Sequence, residues 1–464
     1  MLIESFSGIR GIAEDDLTEA CIRRYIESYM AFLGMQTKIV VGCDTRPSSA
    51  RIKRVMIDSL VTHGAHIIDV GVNTTPAIEH GVRHFEADGG IIITGSHNEP
   101  EHNGWKFLQS TGSILSVKDA EQVIQVAKRQ QELPHQKGTI EKRQDELYQS
   151  YVDYVIDCLG VQACDAIRSK GFTAVLDPNG GTAATVIREL CERLNIRAQL
   201  KNMELGNFAR RVEPNPESLA YLADDVDESD IGAGWDCDAD RVELLIPDSE
   251  FARKRGKMVS GQYLLALLVE FILSGYTGEN RYVVANDATS DLVRDIAARH
   301  DAKMIEVEVG EVNVVDKMYE LDAPIGGEGS SSGGIVPPSR CRDGMLSFCQ
   351  VLALMADRGE ALADILQSFP EYHTSRTSVT CTAEQAASLK TDLETYWKEK
   401  GADIQKTGGE DGGLKIRLAE GWVWYRVSKT EAGAFRILAD AASKGQAEEL
   451  LERGKDAFHS CIRT

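Results

Sequence analysis

Between Lys38 and Thr94 three β-branched runs, KIVVG, HIIDV and GIIIT, alternate with helical periodicity over 50–62 and 76–85. Such alternation demands crossover helices, and so a mainly parallel sheet with helices on its faces. Runs this short and apolar read as strands buried on both sides. The pattern then restarts twice. A strand over 173–176, the turn DPNGGTAA, a helix over 185–194 and a strand over 231–235 form a second block. A helix over 262–273, a strand over 282–285 and a helix over 290–300 form a third. Blocks of similar length point to a duplicated α/β domain. From about residue 370 the character changes: 377–382 and 413–418 alternate as strands, while 383–400 and 445–451 are helical, which predicts a small α+β domain. Polar, aperiodic residues 134–145 and the basic run RKRGK mark boundaries, giving expected domains 1–150, 151–252, 253–369 and 370–464. FSGIRG, near the start, reads as a glycine-bounded loop carrying Arg10, followed by a helix over 17–32.

Composition narrows the function classes. The longest apolar run, 264–272, is interrupted by Glu270, so no bilayer span is expected. Glu4 stands where a secretory signal needs positive charge, and the ten cysteines contain no CxxC pair. A cytoplasmic protein without a zinc site or disulfide framework is therefore expected. A net charge of -21 repels nucleic acid and anionic lipid, so an anionic substrate has to be drawn in by local arginines.

Four stretches could carry chemistry. TGSHNEPEHNGWKF puts Ser96 on a glycine-flanked turn straight after a buried strand, with His97, Asn98 and Lys106 close by. A nucleophile can be held there, at the sheet edge where open α/β folds bind ligands, although Ser, His and Asn are also ordinary loop residues. DCDADR spaces Asp236, Asp238 and Asp240 at every second residue after the strand IGAGW. Their repulsion is relieved by a cation, and oxygen-only ligands select Mg²⁺, Mn²⁺ or Ca²⁺ over zinc. Arg241 and Pro247 exclude an EF-hand, and Mg²⁺ is the expected ion; a solvated acidic turn is the competing reading. GGEGSSSGG pairs Glu328 with hydroxyls on what reads as a mobile loop, suited to sugar hydroxyls or to a plain linker. RVSKTEAGAFR offers Arg426, Ser428, Thr430 and Arg436 as a phosphate cradle or a surface salt-bridge cluster.

Taken in chain order, these stretches resemble the α-D-phosphohexomutase superfamily, from FSGIRG to RVSKTE. They are similar, respectively, to its phosphoserine, metal, sugar-recognition and phosphate-binding loops; CDTRPSS, DPNGG and VEPNPE resemble secondary signatures. The resemblance implies three similar mixed α/β domains and a fourth, TATA-box-binding-protein-like α+β domain around a central cleft. It implies that Ser96 carries a phosphoryl group and, with Asp236, Asp238 and Asp240, binds Mg²⁺. Arg10, His97, Lys106 and Arg241 would surround the transferring group, and Glu328 and Ser330 would hold sugar hydroxyls. Arg426, Ser428, Thr430 and Arg436 would grip the phosphate that is not reacting.

The implied reaction interconverts hexose 1-phosphate and hexose 6-phosphate through a hexose 1,6-bisphosphate, which also serves as activator. Glucosamine phosphate is the first expected substrate, with mannose and glucose phosphates next. Sugar phosphates are the expected partners, with no nucleic acid or membrane, and a monomer or homodimer as the assembly. Lys106 is the candidate for moving the hydroxyl proton if its neighbours favour the neutral amine. The chain departs from the family in lacking a histidine after Ser330, in Cys237 for glycine, in Glu99 before Pro100, in Lys429 and Ala432, and in the late position of Arg436. A phosphoserine phosphatase and a non-catalytic sugar-phosphate-binding protein are the alternative readings.

Overall fold

The early apolar runs assemble into one mixed sheet. Strands β1 (Ile3–Ser5), β2 (Gly8–Ile12), β3 (Lys38–Cys43), β4 (His66–Val72), β5 (Gly89–Ile93), β6 (His102–Gln109) and β7 (Thr139–Lys142) lie in the order β1-β2-β6-β5-β3-β4-β7. The computed structural model describes residues 2–34, 36–129, 133–409, 412–428 and 433–462. Neighbours among β3, β4, β5 and β7 pair parallel, and β1, β2 and β6 add antiparallel pairings. The helices Ser49–Thr62 and Thr75–His84 make the parallel crossovers. The second starts sharply because Thr74 accepts the Ala77 N–H at 3.1 Å and Pro76 sits in its first turn. Ile39, Val41, Ile67, Ile91 and Ile93 pack against Ile52, Val55, Met56 and Leu60, so the β-branched runs form the core.

Two stretches differ from expectation. FSGIRG is not a loop: Gly8, at φ +126, turns a hairpin that places Arg10 on β2 opposite Gly104 of β6. Polar residues 134–145 contain β7, all four of whose residues are exposed at the sheet edge. A strand with no buried face carries no hydrophobic alternation, so pattern alone passes it over. The helix Gln144–Lys170 then runs through residue 150, with a non-helical Gly160 at φ +78.

The second sheet contains β8 (Thr173–Asp177), β9 (Arg197–Leu200), β10 (Ile231–Trp235), β11 (Val242–Leu245) and β12 (Met258–Val259), ordered β12-β11-β10-β8-β9. Parallel pairing joins β10 to β8 and β8 to β9, whereas β10 and β11 form an antiparallel hairpin. The chain divides into two compact units, one of Met1–Ser260 with Ser332–Leu366 and one of Gly261–Ser331 with Gln367–Thr464. In the second unit β13 (Tyr282–Asn286) pairs parallel with β14 (Lys303–Val307) and with β15 (Ile325–Glu328). Strand β16 (Ser331–Ile335), which after Ser331 belongs to the first unit, follows a two-residue turn, so the expected mobile glycine-rich loop is a strand, a turn and a strand.

The last sheet is wholly antiparallel: β17 (His373–Thr380), β18 (Asp403–Lys406), β19 (Leu414–Leu418), β20 (Gly421–Val427) and β21 (Ala434–Ala441), in the order β17-β21-β20-β19-β18. Alternate residues Val423, Tyr425, Phe435, Ile437 and Ala439 bury against the helices Ala383–Glu399 and Lys444–Ile462, the α+β arrangement expected. Among the described residues no helix is long and apolar enough to cross a membrane.

In the first unit the helix Gly344–Arg358 starts at Asp343, whose Oδ1 accepts from Met345 N at 3.0 Å, Leu346 N at 2.9 Å and the Tyr151 hydroxyl at 2.8 Å. Oδ2 is buried without a partner, and burial pushes the carboxyl from 3.8 up to about 6. Between those values the folded chain holds the proton more tightly than the unfolded one, so this group's contribution to stability falls as pH rises through that window. Asp343→Asn keeps an Oδ1 for all three donors and cannot ionise. Relative to the wild type it is expected to gain about 1 to 3 kcal/mol between pH 4 and pH 7. Urea unfolding of both chains across that range checks this; a constant difference would contradict it.

Candidate active site

Two hairpin connections of the first unit bring its reactive groups together. Residues 94–101 join β5 to antiparallel β6 and hold Ser96, which is 2% exposed. Ser96 has φ +54, a region that L-residues with a side chain enter rarely. Its N–H donates to Thr94 Oγ1 at 2.8 Å, its carbonyl accepts from Arg46 Nη2 at 2.7 Å, and Oγ lies 3.4 Å from His97 Nδ1. Residues 236–241 join β10 to β11, with Ala239 at φ +59 turning the chain. One carboxylate oxygen from each of Asp236, Asp238 and Asp240 lies within 4.8 Å of the others. Oδ2 of Asp236 and Oδ1 of Asp238 and Asp240 are buried without a hydrogen-bond partner. Three buried carboxylates that gather in this way, each with an oxygen lacking a hydrogen-bond partner, fit a hard divalent cation.

Cations from four segments meet this triad. Lys106 Nζ, from β6, is 3.4 Å from Asp238 Oδ2 and 3.3 Å from Asp240 Oδ2. Arg342 Nη2 reaches the same Asp240 oxygen at 3.3 Å. Arg241 Nε stands 4.0 Å from Asp236 and 3.9 Å from Asp240, and its Nη1 is 3.4 Å from Glu213. Arg10, on β2, has its pKa lowered by burial against the pull of Asp238. Burial, Asp240 and Asp238 push Asp236 well above the usual carboxylate range. Burial opposes charge on Asp240 too, but Arg342, Lys106 and Arg241 outweigh it and hold that carboxyl well below the range. Arg241, burial and Arg10 hold His97 down to about 2, so its imidazole is neutral at physiological pH. Four cationic side chains against three carboxylates leave net positive charge once a divalent ion is counted, which favours a phosphate in an otherwise acidic chain.

The second unit gathers the remaining sequence-predicted groups. Glu328 ends β15, and its Oε1 accepts from Asn286 Nδ2 at 3.0 Å and Gly310 N at 2.9 Å. The same Asn286 amide donates to Ser330 Oγ at 3.0 Å. Gly329, between them, is crowded: a Cβ would lie 2.0 Å from Gln262 Oε1 and 2.8 Å from Thr289 Cγ2. Arg426 pairs with Glu308 at 2.9 Å and is the register partner of Arg436 across β20 and β21. Like charges directly opposite on a sheet are unfavourable, and Glu308 offsets the charge of Arg426. Ser428 N donates to Ala434 O at 2.8 Å; Thr430 lies outside the described residues.

Residues 3–134, 149–249 and 260–372 match the alpha/beta/alpha domains I, II and III described as phosphoglucomutase/phosphomannomutase. The chain belongs to the phosphoglucomutase/phosphomannomutase family. It is thus a phosphohexomutase, an enzyme of the isomerase class, within the α-D-phosphohexomutase superfamily. A phosphoglucomutase/phosphomannomutase of Thermococcus kodakarensis is 31% identical over 98% of each chain. A probable phosphoglucosamine mutase of Methanopyrus kandleri is 30% identical over 98% of this chain and 97% of its own. Among solved structures, a family protein of Burkholderia thailandensis superposes with a TM-score of 0.81 at 20% identity, covering 99% of this chain and 97% of that one. The Aspergillus fumigatus N-acetylphosphoglucosamine mutase, in complex with GlcNAc-6P and magnesium, has a TM-score of 0.55 at 16% identity, covering 90% and 82%. At these identities the structural likeness concerns the fold.

Sequence reasoning on this phosphohexomutase missed several groups that touch the predicted ones. Arg342 meets Asp240, Thr75 Oγ1 donates to Asp238 Oδ2 at 2.7 Å, and Asn286 links Glu328 to Ser330. The usable signals were slight: Arg342 precedes a helix-capping Asp, and Asn286 ends an apolar strand. Polar residues at strand and helix ends are common, so position alone does not single them out.

Proposed function

We propose that this phosphohexomutase interconverts hexose 1-phosphate and hexose 6-phosphate through phosphoserine 96 and a 1,6-bisphosphate, with glucosamine phosphate as first substrate. Mannose and glucose phosphates are the alternatives. One observation carries the proposal: a buried serine at positive φ shares a unit with three orphaned carboxylates and four cations. The names of the relatives, phosphoglucomutase/phosphomannomutase and probable phosphoglucosamine mutase, support the same choice of sugars.

In the first half-reaction the sugar hydroxyl oxygen bonds to the phosphorus of phosphoserine 96 and the bond from phosphorus to Oγ breaks. The proton of the attacking hydroxyl ends on Oγ. Lys106 Nζ lies 3.4 Å from Asp238 and 3.3 Å from Asp240, beside the triad. In the proposed cycle it relays, giving one proton to Oγ and recovering one from the hydroxyl. The loose transition state of phosphoryl transfer asks chiefly for alignment and charge neutralisation, which Arg10, Arg241 and Arg342 supply. Neutral His97 orients Oγ. Asp236, Asp238 and Asp240 would hold the divalent ion, Mg²⁺ by donor type, which when bound adds charge neutralisation at the phosphoryl oxygens. Glu328 and Ser330 accept from sugar hydroxyls, while Arg426, Ser428, Thr430 and Arg436 bind the distal phosphate. In the second half-reaction the reoriented bisphosphate returns its other phosphoryl group to Ser96.

The test is a panel of glucosamine, N-acetylglucosamine, mannose and glucose 1-phosphates with a hexose 1,6-bisphosphate activator and Mg²⁺. The fastest formation of 6-phosphate is expected with glucosamine 1-phosphate, without release of inorganic phosphate. Phosphate release in place of 6-phosphate would make the chain a phosphatase.

A further inference from the structure

We infer that Arg46, held by Asp44, is a positioning residue that fixes the backbone of Ser96 in its reactive conformation. The inference rests on the phosphoserine reading above and gives a task to CDTRPSS, a motif that the proposed cycle leaves without one. The Arg46 and Asp44 side chains are both fully buried, although they belong to a turn. A guanidinium withdrawn from water is retained only where its donors are used; here both Nη nitrogens donate, while the buried Nε has no partner. Nη1 pairs with Asp44 Oδ2, and Nη2 donates to the carbonyls of both Ser96, at 2.7 Å, and Asn98. Asp44 is fixed in turn: its Oδ1 accepts from Arg46 N at 3.0 Å and Ser49 Oγ at 2.6 Å, and its Oδ2 from Gly95 N at 3.3 Å. Burial opposes the Asp44 charge, but Arg46 and Ser49 outweigh it and hold the carboxyl below its ordinary value.

The clamp therefore takes the amide before Ser96, the carbonyl of Ser96 and the carbonyl two residues on, while Thr94 takes the Ser96 N–H. A non-glycine residue at φ +54 persists only where its surroundings over-determine it. The fit is close enough that a Cβ on Gly95 would lie 2.8 Å from Arg46 Nε. Released from the clamp, Ser96 relaxes toward negative φ and carries Oγ away from its present direction. Lysine, with one compact ammonium, cannot bridge a carboxylate and two carbonyls as a planar fork does.

The experiment follows phosphorylation of Ser96 by glucose 1,6-bisphosphate with Mg²⁺, read by intact mass, in the full chain and its variants. Arg46→Lys is expected to slow it about a hundredfold, the scale of an ångström-sized misplacement, with KM for sugar 1-phosphate within threefold of wild type. Arg83→Lys, at the i, i+4 pair with buried Glu79 on the helix Thr75–His84, is the control for a merely structural loss: a lower melting point with an unchanged phosphorylation rate. If Arg46→Lys does not fold, Asp44→Asn replaces it, with an expected loss of about tenfold. A folded variant of either kind that phosphorylates Ser96 within threefold of wild type overturns the inference. A wild type that takes no phosphoryl group on Ser96 refutes the phosphoserine reading itself, and the inference with it.

Discussion

Ser96→Ala is expected to lower mutase turnover by about ten-thousand-fold or more while leaving the chain folded. The size follows from the cycle: both half-reactions pass through Oγ, and no neighbouring hydroxyl shares its backbone setting at positive φ. Folding should survive because the contacts that hold this position are made by the backbone N–H and carbonyl of Ser96, which alanine keeps. The hydroxyl itself has a single weak contact, 3.4 Å from His97. A coupled assay of 6-phosphate formation, with circular dichroism as the fold control, measures the effect. Residual activity above about one per cent would remove the phosphoserine from the mechanism.

Asp238→Asn is expected to cost about a thousandfold in turnover and to abolish the response to Mg²⁺. Asp238 faces two ways: Oδ2 accepts from Thr75 and Lys106, while Oδ1 is buried without a partner. An amide in its place keeps one acceptor for Thr75 but removes a charge from the triad, and a hard cation binds charge before geometry. In the wild type Mg²⁺ should raise the thermal midpoint, by an amount that grows with the logarithm of its concentration once the site is filled. In the variant that rise should vanish, whereas the chelated forms of the two proteins should melt close together, since one buried like charge has gone. A variant whose midpoint still climbs with Mg²⁺ as the wild type's does would place the ion elsewhere.

Much of this was legible in the sequence because it is local. Strand and helix periodicity between residues 38 and 94 predicted elements that the structure places within a residue or two, as in β3 (Lys38–Cys43) and the helix Ser49–Thr62. The acidic triad was legible too, because side chains at every second position after a strand can gather at its end. The serine turn, the glycine-rich segment and the arginines of the last sheet likewise stood out by composition at fixed spacing.

The sequence by itself thus determined the family, the fold class and the positions of the loops proposed to bear the chemistry. Only the tertiary structure decided how those loops are held. Arg46 reaches Ser96 across 50 residues, Arg342 reaches Asp240 across 102, and Lys106 reaches Asp238 across 132. No local pattern encodes such pairs, because sheet order rather than spacing brings them together. The same holds for the left-handed backbone of Ser96, which its own residue type disfavours. That conformation exists because a buried guanidinium, distant in sequence, satisfies the carbonyl that it turns inward.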